Sequence, residues 1–319
     1  MIRGRIRIAA FGVLLAGCGS SSPPPGSGGT AGSAGTGGDS GVGLDSGVAG
    51  AGGPVVDASM AANIDAATGC GLVSAPTGVL GNQTITVGDL ARSYVLSVPK
   101  SYDPSTPLAL VFGWHGSGAS GNQARQSFAI EPAAAGGAIF VYPSSAGLGW
   151  DWSPSGIDVA LFDALAGFLT ANYCVDRKRI FSTGMSNGAY FTNVLACYRG
   201  DVLRAIAPVA GGPPSPAGCI GHVGAWVAHA SNDDTVDFTT GGLATRDLWL
   251  GRNGCSSTLA PLATSPDGCV EYQGCQPEQP VVFCVYSEGH TWPSMANCYD
   301  GGVCFDAGPA IWAFFARFK

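Results

Sequence analysis

The chain has 319 residues, only 12% of them charged, and its 22 acidic against 15 basic side chains leave a formal charge of −7. An acidic surface with few lysines cannot neutralise phosphates, so a nucleic-acid partner is excluded.

Residues 1–17 read as an export signal. Arg3, Arg5 and Arg7 form a positive start, and the apolar stretch from Ile8 to Leu15 is too short to span a bilayer, which takes roughly 20 residues. The run Leu15-Ala16-Gly17-Cys18 resembles a bacterial lipobox, so Cys18 is the expected lipidation site, and a lipid there is the only membrane attachment foreseen. The alternative is an ordinary secretory signal with a chance cysteine. Either way the protein is exported. The lipobox reading anchors it at the bacterial cell envelope or surface, with later release left open. Loss of residues 1–17 removes three arginines and no acid, which takes the charge from −7 to −10. Residues 18–68 are Gly, Ser, Ala, Thr and Pro with almost no aromatic side chain, a composition that cannot offset its ordering entropy and reads as a disordered tether. Residues 69–319 are long enough for one large domain with a substantial core.

Within that domain, residues 83–87 and 92–98 alternate as an opening antiparallel pair. A continuous apolar strand at 108–112 leads into a loop rich in Gly and Ser, then a helix over 123–135 and a buried strand at 138–142. Ile157, Leu161, Leu165 and Phe168 mark one face of a helix ending near Tyr173. Further strands are expected at 205–209, 225–230 and 281–286, with helices at 244–251 and 310–318. Strands that alternate with helices and are apolar on both faces imply an α/β fold, a mostly parallel sheet covered by helices on both faces, with ligands at the carboxyl ends of the strands.

Between the helix ending near Tyr173 and the strand at 205–209 lies Gly184-Met185-Ser186-Asn187-Gly188, after the apolar run Ile180-Phe181-Ser182-Thr183 and before a helix-like stretch to Cys197. Strand, sharp turn and helix with a serine at the apex is a nucleophile elbow. A polar turn that merely caps a helix would not require both glycines. A serine hydroxyl needs a base, and His290 lies in a loop after the last strand and before the last helix. His222, among glycines and prolines, reads as solvated. The imidazole needs an acid, and the loop after the strand ending at Ala230 offers Asp233, Asp234 and Asp237. The chain order serine, acid, histidine is that of the α/β-hydrolase fold. An oxyanion needs two backbone donors. The Asn187 N–H supplies one, and the loop Trp114-His115-Gly116-Ser117-Gly118 supplies the other, from Ser117 or failing that Gly116, with His115 supporting the loop.

Apart from Cys18, ten of the eleven cysteines remain, an even number that in an exported protein implies up to five disulfides. Cys269, Cys275, Cys284 and His290 could be weighed as zinc ligands, but their spacing has no C-x-x-C pair and the compartment is oxidising, so neither metal nor cofactor is expected. Cys174 precedes the elbow strand and Cys197 ends the helix that runs back beside it, so a Cys174–Cys197 bond is expected.

The motifs taken together, namely Trp114 to Gly118, Trp150-Asp151-Trp152, Val175-Asp176 through Gly188, Ala207-Pro208-Val209-Ala210-Gly211, His229 to Val236 and Gly289-His290-Thr291-Trp292-Pro293, resemble the secreted feruloyl esterase and poly(3-hydroxybutyrate) depolymerase family, esterase family 1. The likeness runs from about Gly69 to the C-terminus. It implies an α/β-hydrolase fold stabilised by disulfides, and it maps the acid onto Asp233, although Ala230 and Ser231 replace the family's Gly and Thr, and Ala189 stands where many relatives have a second glycine. The cysteine-rich stretch from Gly254 to Cys284 is closer to the feruloyl esterase side.

The implied activity is serine carboxylic-ester hydrolysis through an acyl-serine, releasing hydroxycinnamates from feruloylated plant polysaccharide. Poly(3-hydroxybutyrate) depolymerase and acetyl xylan esterase are the alternatives, and an inactive hydrolase scaffold serving as a surface-binding lipoprotein is the non-enzymatic one. A flat aromatic acyl group would suit an aromatic wall, for which Trp292, Trp150 and Trp152 are the candidates against simple packing on the domain. The expected partners are the ester substrate, whether polysaccharide or polyester, and no second subunit: a monomer.

Overall fold

In the computed structural model, which describes residues 69–73, 75–214, 218–261, 268–299 and 301–319, ten strands form one sheet. The export signal, Cys18 and the tether over 18–68 lie outside the described residues. β1 (Gly78–Val87) and β2 (Leu90–Val98) are the antiparallel opening pair. β3 (Leu108–Trp114), β4 (Ala138–Pro143), β5 (Val175–Met185), β6 (Ala205–Val209) and β7 (Gly224–Ala230) follow, then the short β8 (Leu259–Pro261) and β9 (Cys269–Tyr272), and finally β10 (Val281–Tyr286). Their spatial order is β1-β2-β4-β3-β5-β6-β7-β10-β9-β8. The six from β4 to β10 are mutually parallel, and antiparallel strands flank them on both sides.

Every residue of β4, β6 and β7 is buried, as a strand covered on both faces requires. Alternate side chains feed two cores. Leu110, Phe112, Ile139, Val141, Ile180 and Ile206 pack on one face with Leu161, Phe162 and Leu165 of α3 (Ile157–Asn172) and Phe191, Val194 and Leu195 of α4 (Asn187–Tyr198). On the other face Ala109, Val111, Phe140 and Phe181 meet Ala124 and Phe128 of α1 (Gly121–Phe128) and Ile311, Phe314 and Phe315 of α6 (Ala307–Phe315). Among the described residues no helix is long and apolar enough to cross a membrane.

Three expectations are corrected, and one element goes unforeseen. The helix over 123–135 is broken into α1 and the single turn α2 (Glu131–Ala134), because Pro132 has no N–H to continue the ladder and Ala129 turns left-handed at φ 49°. The last helix starts three residues earlier than expected, since Pro309 is tolerated in a first turn where its missing N–H has no helical acceptor. α5 (Ala244–Arg252) is preceded by a π-helical turn, Phe238–Leu243, that periodicity does not signal.

The third correction concerns the disulfides. Cys174 is bonded to Cys70 and Cys197 to Cys219, not to each other. The reason is length: at ~3.3 Å per residue β5 descends about 36 Å, whereas α4 returns only about 18 Å at ~1.5 Å per residue. The helix therefore ends roughly halfway along the strand, too far for a bridge whose Cα atoms must lie within ~7 Å. Irregular chain fills both ends instead. Gly69 N–H donates to the Thr170 carbonyl at 2.9 Å, which places Cys70 beside Cys174, and Ile220 and Gly221 donate to the Cys197 carbonyl at 3.1 and 2.9 Å. Cys255–Cys275, Cys269–Cys284 and Cys298–Cys304 complete five bonds, so Cys269, Cys275 and Cys284, the three cysteines weighed with His290, are engaged as disulfides.

Candidate active site

Four loops meet at the carboxyl ends of β3, β5, β7 and β10. Ser186, at the end of β5, has φ 53° and ψ −120°, a conformation an L-residue holds only under constraint. The constraint is close packing: a Cβ on Gly184 would collide with the Gly188 carbonyl, and one on Gly188 with the Trp114 carbonyl. Ser186 N–H donates to the Val209 carbonyl at 3.0 Å, so β6 holds the turn from the other side.

His290 Nε2 lies 2.8 Å from Ser186 Oγ, and its Nδ1 lies 2.8 and 3.0 Å from the two Asp233 carboxylate oxygens. A carboxylate only accepts, so Nδ1 carries the proton and bare Nε2 accepts from the serine hydroxyl. The Asp233 side chain is fully buried. Burial by itself would raise its carboxyl, but the Val236 N–H at 2.8 Å, the His290 bond and the Thr235 N–H at 2.9 Å outweigh it and leave the group below the ordinary aspartate range. Asp234 is exposed and accepts from the Thr235 hydroxyl, and Asp237 caps the π-helical turn through the Thr239 and Thr240 N–H groups. Of the three acids in the loop, Asp233 alone reaches the imidazole.

Asn232, which no sequence pattern singles out, joins the acid loop to the base loop. Its side-chain amide donates to the Ser287 carbonyl at 3.1 Å and its oxygen accepts from Gly289 N–H at 3.0 Å. Tyr286 adds a bond from its hydroxyl to the Thr291 carbonyl at 2.8 Å. These bonds fix the spacing of Asp233 and His290, and only the folded register of β7 against β10 brings them into being.

The loop after β3 passes directly over the nucleophile: a Cβ on Gly116 would lie 3.4 Å from Ser186 Cβ. His115 is buried, its Nδ1–H donates to the Gly116 carbonyl at 2.7 Å, and its Nε2 accepts from Ser145 N–H at 3.0 Å. Burial holds this imidazole below the usual histidine range, so it stays neutral and braces the loop. Ser117 is the exposed next residue but one, and Asn187 starts α4, where the first N–H groups of a helix lack internal acceptors. The Asn187 side-chain oxygen accepts from Trp150 N–H at 2.7 Å.

The three tryptophans separate by burial. Trp292 is 7% exposed and stacks on Phe128 at 3.9 Å, and Trp150 is 5% exposed, packed edge-on to Trp114, with its indole N–H given to the His115 carbonyl. Trp292 is covered by its own domain, and Trp150 leaves only an edge open. Trp152 is 44% exposed and stacks on Tyr190 at 4.6 Å. It lines an open groove of about 580 Å³ together with Asp151, Ser153, Pro154, Asn187 and the rim of Trp150. The arrangement can deprotonate Ser186 Oγ beside a groove with one aromatic face.

No family model matches the chain. Feruloyl esterase C of Emericella nidulans is 33% identical over 70% of this chain and 83% of its own length. Feruloyl esterase D of Neurospora crassa is 30% identical over 79% of this chain and 90% of its own. Among solved structures, an acetyl xylan esterase from Aspergillus awamori shares the fold at a TM-score of 0.53 and 18% identity, covering 65% of this chain and 91% of that one.

Proposed function

This chain belongs to the feruloyl esterase family and is a carboxylic ester hydrolase; we propose that it works through an acyl-serine on Ser186 and releases hydroxycinnamic acids from esterified polysaccharide. The hydrogen-bonded line from Ser186 through His290 to Asp233 carries the mechanistic part of that reading.

Ser186 Oγ attacks the ester carbonyl carbon while His290 Nε2 takes its proton. The carbonyl oxygen becomes an oxyanion, for which the N–H groups of Asn187 and Ser117 are the assigned donors. Buried Asp233, held ionised by its own N–H donors, faces the imidazolium. Collapse of the intermediate breaks the bond to the alcohol oxygen, which leaves with the proton from His290, and the acyl group stays on Ser186. Water then repeats the sequence: His290 removes its proton, the acyl carbon is attacked, and the serine oxygen departs with the proton as the free acid is released. No step needs a metal or a redox partner.

The substrate part rests on the named relatives and on Trp152. A flat hydroxycinnamoyl ring can stack on the exposed indole in the groove that Asn187 also lines, a contact worth about 0.5–1.5 kcal/mol beyond its buried area. Trp152→Ala is therefore expected to lower kcat/KM on methyl ferulate by roughly 3- to 10-fold and to leave an acetyl ester unchanged. Equal losses on both esters would remove Trp152 from the acyl site. Unsubstituted protein that clears polyhydroxybutyrate film but ignores methyl ferulate would replace the hydroxycinnamate with an aliphatic polyester. Five disulfides suit an exported enzyme.

A further inference from the structure

Asp233 is approached by a second imidazole. His229, the next-to-last residue of β7, is fully buried, and its Nε2 lies 2.9 Å from the Val236 carbonyl and 3.4 Å from Asp233 Oδ2. Both of those oxygens accept and neither can donate, so the proton of this ring is on Nε2. Nδ1 is buried without a hydrogen-bond partner among the described residues. Burial is the main influence on this ring and keeps it below the usual histidine range, against the pull of Asp233 and Asp237 and with that of His290, the three charged or titratable groups that act on it. His229 is therefore a neutral ring with a single N–H, and that N–H is directed at the acid and its turn.

The slot that holds it is built to fit. The ring packs beneath Gly241 and Gly242 of the π-helical turn, where added Cβ atoms would come to 2.9 Å from Cε1 and 2.6 Å from Cβ of the histidine, and Phe238 meets it edge-on at 6.0 Å. An apolar side chain would fill the same slot without stranding a nitrogen in the core, a loss that burial of an unpaired polar atom always entails. What an apolar residue could not do is hold the Val236 carbonyl. Val236 and Thr235 are the residues whose N–H groups fix Asp233 Oδ1.

We propose that His229 is a positioning residue for ester hydrolysis: its one N–H pins the Val236 carbonyl and flanks Asp233 Oδ2, so that the 233–236 turn keeps the carboxylate aimed at His290 Nδ1. This rests on the reading of Ser186, Asp233 and His290 as the reacting groups. The acid then sits between two imidazoles, one that takes part in proton transfer and one that does not.

The test compares His229→Leu and His229→Gln in the full chain on 4-nitrophenyl acetate, with rates expressed per active site and sites counted by fluorophosphonate labelling carried to completion. Leucine is expected to lower kcat by roughly 10²-fold with KM almost unchanged, since a misplacement of about an ångström in the reacting groups has that effect. Glutamine, whose amide N–H can reach the same two oxygens, is expected to restore most of the rate. If the leucine protein does not accumulate, His229→Asn, too short to reach Val236, takes its place with the same expected loss. A leucine variant with the unsubstituted kcat per labelled site overturns the proposal, and so does a glutamine variant as impaired as leucine, which would mark packing alone. Unsubstituted protein that hydrolyses the ester without taking up the label would overturn the assignment of Ser186 itself, and this proposal with it.

Discussion

Ser186→Ala is expected to lower kcat on methyl ferulate by about 10⁶-fold, His290→Ala by a similar factor, and the double substitution by no more than either alone. The two side chains share one hydrogen bond, Oγ to Nε2 at 2.8 Å, and a nucleophile without its base is as idle as a base without its nucleophile. Non-additivity is the informative part. Losses that multiplied would mean that serine and histidine act on separate steps. What survives in every variant should be the acceleration due to binding and to the oxyanion donors, which neither substitution touches. KM should change little, because neither side chain is assigned a role in holding the ground-state ester. Steady-state rates for the three proteins decide the matter.

Asp233→Asn is expected to lower kcat by roughly 10⁴-fold while the neighbouring Asp234→Asn leaves it nearly unchanged. The contrast follows from placement, not from chemistry, since the two side chains are identical. Asp233 is fully buried and makes both contacts to His290 Nδ1, whereas Asp234 is exposed and bonded to Thr235 Oγ1. An amide at position 233 can present N–H toward Nδ1, which forces the imidazole proton onto Nε2 and leaves it unable to accept from the serine. The Thr235 and Val236 N–H groups would still find the amide oxygen, so the turn should keep its shape and the protein its fold. Circular dichroism of the Asp233→Asn protein matching the unsubstituted one, with the rate collapsed, is the expected pairing. A rate loss at Asp234 in place of Asp233 would reassign the acid.

The elbow is legible in the sequence because its physics is local. A serine on a strained turn needs glycine two residues before and after, and both contacts that demand those glycines arise within the strand, turn and helix or from the strand next door. The parallel strands are legible for a similar reason, since burial on both faces writes an unbroken apolar run. The base can be placed by its position after the last strand, and the acid only to within three aspartates until resemblance chooses one.

What stays hidden depends on distant segments meeting. Asn232 is one polar residue in a polar loop until β7 and β10 lie side by side and its amide spans them. β9 is four residues long and reads as loop, yet Cys269 faces Cys284 across the antiparallel pair and is bonded to it. The fate of Trp292 turns on Phe128, far earlier in the chain, and that of Trp150 on Trp114 and the His115 carbonyl. The Cys174 disulfide is different in kind: strand and helix rise per residue are sufficient to show that α4 stops short of it.

The central claim is that Ser186 is an activated nucleophile, and covalent capture tests it most directly. Incubation with a fluorophosphonate followed by peptide mass spectrometry is expected to show one adduct per protein, on the peptide that carries Ser186, and almost none when His290 is replaced by alanine. Hydrolysis of esters by protein that takes up no label, or that takes it up on another serine, would contradict the account.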